Sequence, residues 1–376
     1  MKPEKYTNPQ MSLFDIDEWG SSQKVKGTDV FSADSGQVRQ EWLSGCREER
    51  TLTQDLLSKI ADLKNLETAL RKVVSNRGVA GIDGMNVHQL KEWFSTHYRE
   101  LQSDLISDSY RVTAVKEKRI RKPNGGKRIL GIPTVKDRLV QQAISQVLST
   151  RYEPIFSDHS YGFRPKRNAH QALEKGGEYV AEGRNWVVDI DLAKFFDEVN
   201  HDRLLWQLST RVGDNRVLKL IGRFLRSGIL SGGITNQQIK GTPQGSPLSP
   251  LLSNIVLDEL DKELERRGHC FVRYADDLII MVGSELSAKR VMSGITSFIE
   301  NRMRLKVNVD KSQIVRPHQL NFLGHCIFLD GNLGLSRKSE KRFKTKLKLL
   351  VKRNRGISFE QLIRELNPVL RGWLNY

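Results

Sequence analysis

Two adjacent carboxylates set between short apolar runs constrain this chain more than any other feature. Tyr274-Ala275-Asp276-Asp277 follows Cys270-Phe271-Val272 and precedes Leu278-Ile279-Ile280-Met281-Val282. Both runs read as β-strands, too apolar for a solvated loop. The acidic pair then sits at the tip of a hairpin, where mutual repulsion and burial make it costly without a cation. A hard divalent ion offsets that cost, and Mg²⁺ held by a few carboxylates plus substrate phosphates is one such arrangement. An acidic turn without a metal is the plain alternative, because Asp favours turns in any case.

The rest of the composition narrows the classes. At 376 residues the chain is long enough for two or three domains with real cores. The longest apolar run, residues 278–282, is far too short to span a bilayer. The opening Met1-Lys2-Pro3-Glu4-Lys5-Tyr6 lacks the apolar stretch of a secretory signal. Cys46, Cys270 and Cys326 are too few and too scattered for a disulfide framework or a zinc ribbon, so a reduced cytoplasmic location is expected. Lys and Arg number 61 against 44 Asp and Glu, a net charge of +17, which points to a polyanionic partner and most simply to nucleic acid.

Residues 1–52 are polar and weakly periodic, and predict a flexible extension. Leu56, Leu57, Ile60, Leu63, Leu66, Leu70, Val73 and Val74 follow at the three-four spacing of one amphipathic helix. Residues 109–132 alternate around Asn124-Gly125-Gly126 and predict a basic hairpin, followed by a helix over 135–152. Trp186-Val187-Val188-Asp189-Ile190-Asp191-Leu192 predicts a buried strand, with helical segments after it to about residue 228. Gly241-Thr242-Pro243-Gln244-Gly245-Ser246-Pro247-Leu248 predicts a rigid loop, with Ser249 as the cap and Pro250 as the first residue of the next helix. The acidic hairpin, a helix over about 285–301 and a strand carrying Leu305, Val307 and Val309 complete an α+β, ferredoxin-like antiparallel sheet backed by helices.

Nucleotidyl transfer by two metals needs carboxylates from separate strands, converging on ions about 3.5–4 Å apart. The hairpin offers Asp276 and Asp277, and the buried strand offers a third, where a lone carboxylate would be expensive. On the residues alone Asp189, Asp191 and Asp197 compete for that place.

The order of these blocks resembles the bacterial group II intron-encoded reverse transcriptase/maturase family over about residues 56–376. Gly78-Val79-Ala80-Gly81-Ile82-Asp83-Gly84 resembles its N-terminal block, and Arg121-Lys122-Pro123-Asn124-Gly125-Gly126-Lys127-Arg128 its fingers hairpin. Tyr161-Gly162-Phe163-Arg164-Pro165 is a further signature. Asp189 to Asp197 resembles polymerase motif A, Gly241 to Pro250 motif B, and the acidic hairpin motif C. Leu305-Lys306-Val307-Asn308 with Lys311-Ser312, then Asn321-Phe322-Leu323-Gly324, are similar to the last palm blocks, and Arg371-Gly372-Trp373-Leu374-Asn375-Tyr376 to the thumb signature.

The resemblance implies a right-hand polymerase: fingers over 53–175, palm over 176–335 and a partial helical thumb over 336–376. It implies RNA-directed DNA synthesis with two Mg²⁺ ions, a DNA primer, an RNA template, dNTPs and group II intron RNA as partners. It selects Asp191 as the third metal ligand beside Asp276 and Asp277, leaving Asp189 structural. It makes Phe196 the gate against the ribonucleotide 2′-hydroxyl, and Lys122 and Arg128 the triphosphate clamp. Gln244 and the Gly245 backbone would lie against the incoming nucleotide, with Lys311 a weaker candidate for the triphosphate. The basic stretch Lys341, Arg342, Lys344, Lys346, Lys348, Lys352, Arg353 and Arg355, interleaved with Phe343, Leu347, Leu350 and Val351, predicts a primer–template groove. Because the chain stops at Tyr376 and carries no Cys/His cluster, it is expected to be a shortened member lacking most of the thumb and the DNA-binding and endonuclease regions. An RNA-binding maturase or an inactive remnant is the competing expectation.

Overall fold

The structure is a computed structural model that describes residues 55–121, 127–231, 234–236, 240–242 and 245–374; the extension expected over residues 1–52 lies outside them. The apolar periodicity after residue 55 builds two helices where the spacing predicted one. These are α1 (Leu56–Ala61) and α2 (Leu63–Ser75). Asp62 stands between them in an extended conformation and caps α2, its carboxylate accepting from the Lys64 and Asn65 N–H groups. The side-chain spacing continues through the break, but a capping Asp competes with the helical backbone.

Next come α3 (Val87–Ile106), the hairpin β1 (Val115–Arg121) and β2 (Lys127–Ile132), and α4 (Val135–Tyr152), whose Leu139, Ala143, Ile144 and Leu148 are fully buried as predicted. They are followed by α5 (Ala169–Ala181), β3 (Trp186–Asp191), the single turn α6 (Phe195–Glu198), α7 (His201–Ser209) and α8 (Asn215–Leu225). Two short strands that the sequence reading missed, β4 (Ile229–Ser231) and β5 (Ile234–Asn236), extend the β1–β2 hairpin into a sheet of order β2-β1-β4-β5. The β1–β4 pairing is parallel, a long-range contact that no local pattern announces.

Helix α9 (Ser249–Arg266) starts one residue earlier than expected. Ser249 is its first helical residue rather than its cap, because residues 246–249 already close a turn from the Ser249 N–H to the Ser246 carbonyl. The strands β6 (Cys270–Tyr274) and β7 (Asp277–Val282) form the predicted acidic hairpin, and α10 (Glu285–Ser297) continues into a π turn over Phe298–Arg302. The strand expected over Leu305, Val307 and Val309 does not form. Val307 makes a single bridge to Leu192, Val309 is exposed, and the Asn308 N–H is taken by the Asp191 carbonyl. The pairing partner of β3 is instead β8 (Gln313–Val315).

The second sheet therefore runs β6-β7-β3-β8, antiparallel throughout, with α9 and α10 as its crossovers. That is the ferredoxin-like order. One hydrophobic cluster runs from Leu56 to Val307 and joins the helices α1–α4 to the sheet without a break at residue 175. A second, smaller cluster packs α5 against Val187, Val272, Ile279 and Met281. Beyond the sheet lie the hairpin β9 (His325–Ile327) and β10 (Leu333–Leu335), then α11 (Arg337–Leu350) and α12 (Phe359–Leu374). None of the described helices is long and apolar enough to cross a membrane.

Candidate active site

Strand register brings the carboxylates to one end of the sheet. β3 and β7 pair so that Asp191 stands directly opposite Asp277. Tyr274 pairs with Asp277 across the hairpin, which leaves Ala275 and Asp276 as a two-residue turn with Ala275 at a left-handed φ of 58°. Asp189 lies two residues back on the same face as Asp191. Its carboxylate accepts from Gln313 Nε2 at 3.0 Å. Asp197, the other competitor, is exposed on α6.

Asp191 is held from three directions. Its N–H donates to Ser312 Oγ at 3.1 Å, Asn308 Nδ2 donates to its Oδ1 at 2.9 Å, and the exposed Lys311 ammonium lies 3.2 Å from its Oδ2. Burial against the sheet, then the Asp276, Asp189 and Asp191 charges, push the Asp277 carboxyl up to about 6. Asp277 is nevertheless exposed at the strand end, so a ligand can approach it, and solvent there weakens the burial contribution. Burial and the Asp191 charge also raise Asp189, against the hydrogen bond from Gln313.

Among the described residues no three Asp, Glu, His or Cys side chains are gathered as a preformed metal cage. The donor chemistry still fits a hard cation: hard oxygen ligands at one sheet end, with repulsion that a divalent ion would relieve. Mg²⁺ commonly takes one or two carboxylates and completes its shell with water and phosphate oxygens.

The remaining expected site residues are placed unevenly. Phe196 is half-buried on α6, its ring set edge-on to Phe195 at 5.4 Å. The 241–242 loop is docked on the same turn, with Gly241 N–H donating to the Val199 carbonyl and Thr242 N–H to the Phe196 carbonyl. Gly241 has φ 93°, and a side chain there would stand 3.0 Å from the Phe196 and Asp197 carbonyls, so glycine is required. Gly245, exposed at φ 112°, approaches the Gly131 carbonyl of β2, while Ser246 Oγ anchors the loop to Gln141 on α4 at 2.8 Å. Lys122 and Gln244 lie outside the described residues, and only the backbone of Arg128 is described, opposite Ile120.

The basic stretch divides. Lys341, Arg342, Lys346, Lys348, Lys352 and Arg353 are exposed, with the Arg342 guanidinium over the Trp373 ring at 5.2 Å. Lys344 pairs with Glu340. Arg355 is half-buried, donating to the Leu350 carbonyl at 2.6 Å and paired with Glu365, so it joins α11 to α12. Val351, one of the apolar residues interleaved with that stretch, is exposed just past the end of α11 at Leu350.

Sequence reading missed Arg273. Its side chain is 1% exposed, and its guanidinium binds the Asp261 carboxylate, Asn254, Ser160 and the Ala275 carbonyl. A lone charge inside the Cys270-to-Tyr274 strand was the available signal.

An antiparallel sheet with opposed carboxylates on its two central strands and an acidic hairpin beside them is the palm of a right-hand polymerase. The chain belongs to the reverse transcriptase (RNA-dependent DNA polymerase) family, which matches residues 120–327, and is of its group II intron type, since residues 340–376 match the group II intron maturase-specific domain. It is 30% identical over 316 residues to the protein YkfC of Escherichia coli, covering 72% of this chain and 82% of that protein. It is also 30% identical over 342 residues to the group II intron-encoded protein LtrA of Lactococcus lactis subsp. cremoris, covering 73% of this chain and 57% of that protein. Among solved structures, the telomerase of Candida tropicalis with a telomeric RNA fragment matches at 15% identity and a TM-score of 0.49, over 73% of this chain and 56% of that one.

Proposed function

We propose that the chain is an RNA-directed DNA polymerase that adds dNTPs to a primer 3′-hydroxyl on an RNA template. The observation that carries this reading is the register that opposes Asp191 to Asp277 beside Asp276. Asp191, Asp276 and Asp277 are the residues proposed to hold two Mg²⁺ ions, which when bound would supply charge neutralisation and a more acidic primer hydroxyl. The primer oxygen bonds to the α-phosphorus, the bond to pyrophosphate breaks, and the hydroxyl proton passes to solvent. Lys122 and Arg128 are assigned to the departing phosphates, and Gln244 with the Gly245 backbone to the incoming nucleotide. Fingers, palm and basic thumb are assigned to residues 53–175, 176–335 and 336–376. In purified protein, Mg²⁺-dependent extension on an RNA template that is absent from Asp276→Ala is the expected result. Extension that survives in the variant sinks the metal assignment.

Phe196 is assigned to shape discrimination against the 2′-hydroxyl. Phe196→Val is expected to raise ribonucleotide incorporation relative to dNTP by about 10–100-fold, the range in which pocket sterics discriminate. Unchanged selectivity removes Phe196 from that role.

The maturase-specific match favours a second reading, intron-RNA binding without synthesis. Salt-dependent RNA binding in a chain that never extends a primer would favour it over the first. Under either reading Lys348→Ala should weaken RNA binding and reduce the salt slope by about one unit. A slope equal to wild type would place Lys348 outside the groove.

A further inference from the structure

We propose that Arg273 is a positioning residue that clamps the Ala275–Asp276 turn from inside the core and so sets where Asp276 and Asp277 present their oxygens. The proposal rests on the metal-site reading of those carboxylates.

A guanidinium has five N–H donors, and here each has an acceptor. Nε donates to Asp261 Oδ1 at 2.7 Å, and one Nη2 hydrogen goes to Asp261 Oδ2. The other Nη2 hydrogen goes to Ser160 Oγ at 2.7 Å. Nη1 donates to Asn254 Oδ1 at 3.0 Å and to the Ala275 carbonyl at 2.9 Å. Asp261 alone would neutralise the charge with two of these bonds. The other three reach the 157–165 segment, α9 and the hairpin turn, so one side chain ties the turn to two separate parts of the chain.

The turn needs such a tie. Ala275 holds a left-handed φ of 58°, a region that alanine adopts uncommonly. A second contact closes the clamp: Asn254 Nδ2 donates to the Gly162 carbonyl at 2.9 Å. A side chain on Gly162 would stand 2.2 Å from the Ala275 nitrogen, so the bare Gly162 backbone lies directly against the turn. The Tyr161 N–H also donates to the Arg273 carbonyl at 2.9 Å. Stability alone would be served by the Asp261 pair, whereas the bonds to Ala275 and Asn254 bear on the metal-binding end of the hairpin.

The test uses the full chain with Arg273→Lys, which keeps the charge for Asp261 but lacks the fork, and Asn254→Ala, which keeps the ion pair and removes the link to Gly162. Melting temperature, Mn²⁺ affinity by EPR without nucleic acid, and kcat with primer–template Kd are measured well below both melting points. Positioning predicts Mn²⁺ affinity about 10–100-fold weaker and kcat reduced to a similar degree, with primer–template Kd unchanged. A lowered melting temperature with wild-type Mn²⁺ affinity and kcat in both variants would make Arg273 purely structural and overturn the proposal. The Mn²⁺ readout stands apart from synthesis, so failure of the polymerase reading shows separately, as a wild-type chain that never extends a primer.

Discussion

Asp277→Asn should lose primer extension by more than about 10³-fold, because a divalent cation at such a site supplies several kcal/mol of charge stabilisation and each factor of ten is about 1.36 kcal/mol. The same change should leave the metal-free protein no less stable at pH 7. Burial and three neighbouring carboxylates raise the folded Asp277 value to about 6 from 3.8. The folded chain therefore holds this proton more tightly than the unfolded chain, so stability falls as pH rises from about 4 to about 6. The penalty is absent below that window and complete above it. Thermal melts across pH 4–7 without metal should show the downward slope in wild type and a flatter one in Asp277→Asn. A variant that melts lower at pH 7 and keeps the slope would mean that the carboxylate repulsion is not felt.

Asp261→Ala carries the second large effect, on stability. Asp261 is fully buried, and its partner Arg273 is 1% exposed. Removing the carboxylate strands a guanidinium in the core, a change that typically costs about 3–5 kcal/mol. Chemical denaturation should show the unfolding free energy lowered by that amount, as a lower midpoint at unchanged slope. A loss below about 1 kcal/mol would mean that water or another acceptor reaches Arg273. The double variant Asp261→Leu with Arg273→Met should recover part of the loss, because an apolar pair of similar volume avoids the desolvation penalty. It should still bind Mn²⁺ poorly, since the Ala275 carbonyl has no donor in that chain.

The core of this fold was legible in the sequence where pattern and burial agree. The 135–152 helix and the 270–282 hairpin are set by local periodicity, and both form where the spacing puts them. The helix α9 misses by one residue only, at a boundary where two turns overlap. Asp62 illustrates a local competition that periodicity cannot see, because the apolar spacing is the same on both sides of the cap. The 305–309 segment illustrates tertiary override. Its alternation suits a strand, yet Asn308 is drawn into contact with both the carbonyl and the carboxylate of Asp191. The β4 and β5 strands were unreadable for a different reason: three residues each leave too little alternation to count.

The candidate site was legible through chemistry more than through pattern. Carboxylates inside apolar strands are costly, and that cost singled out Asp276, Asp277 and the competing Asp189 and Asp191. The residues alone left Asp189, Asp191 and Asp197 open and the resemblance selected Asp191; the register puts Asp191 opposite Asp277 and Asp189 opposite Ile279. The polar support around Asp191, namely Asn308, Lys311 and Ser312, comes from about 120 residues away and carries no local mark. Arg273 was masked by the opposite effect: it sits beside the acidic motif, where a charged residue reads as a solvated neighbour.

The most direct measurement is single-turnover extension of a DNA primer on an RNA template by the wild-type chain and by Asp191→Asn, with and without Mg²⁺. The expected result is dNTP addition by the wild type that requires Mg²⁺, and addition by Asp191→Asn slower by about 10³-fold or more at unchanged primer–template affinity. Addition by Asp191→Asn at the wild-type rate, or none by the wild type under any divalent ion, would contradict it.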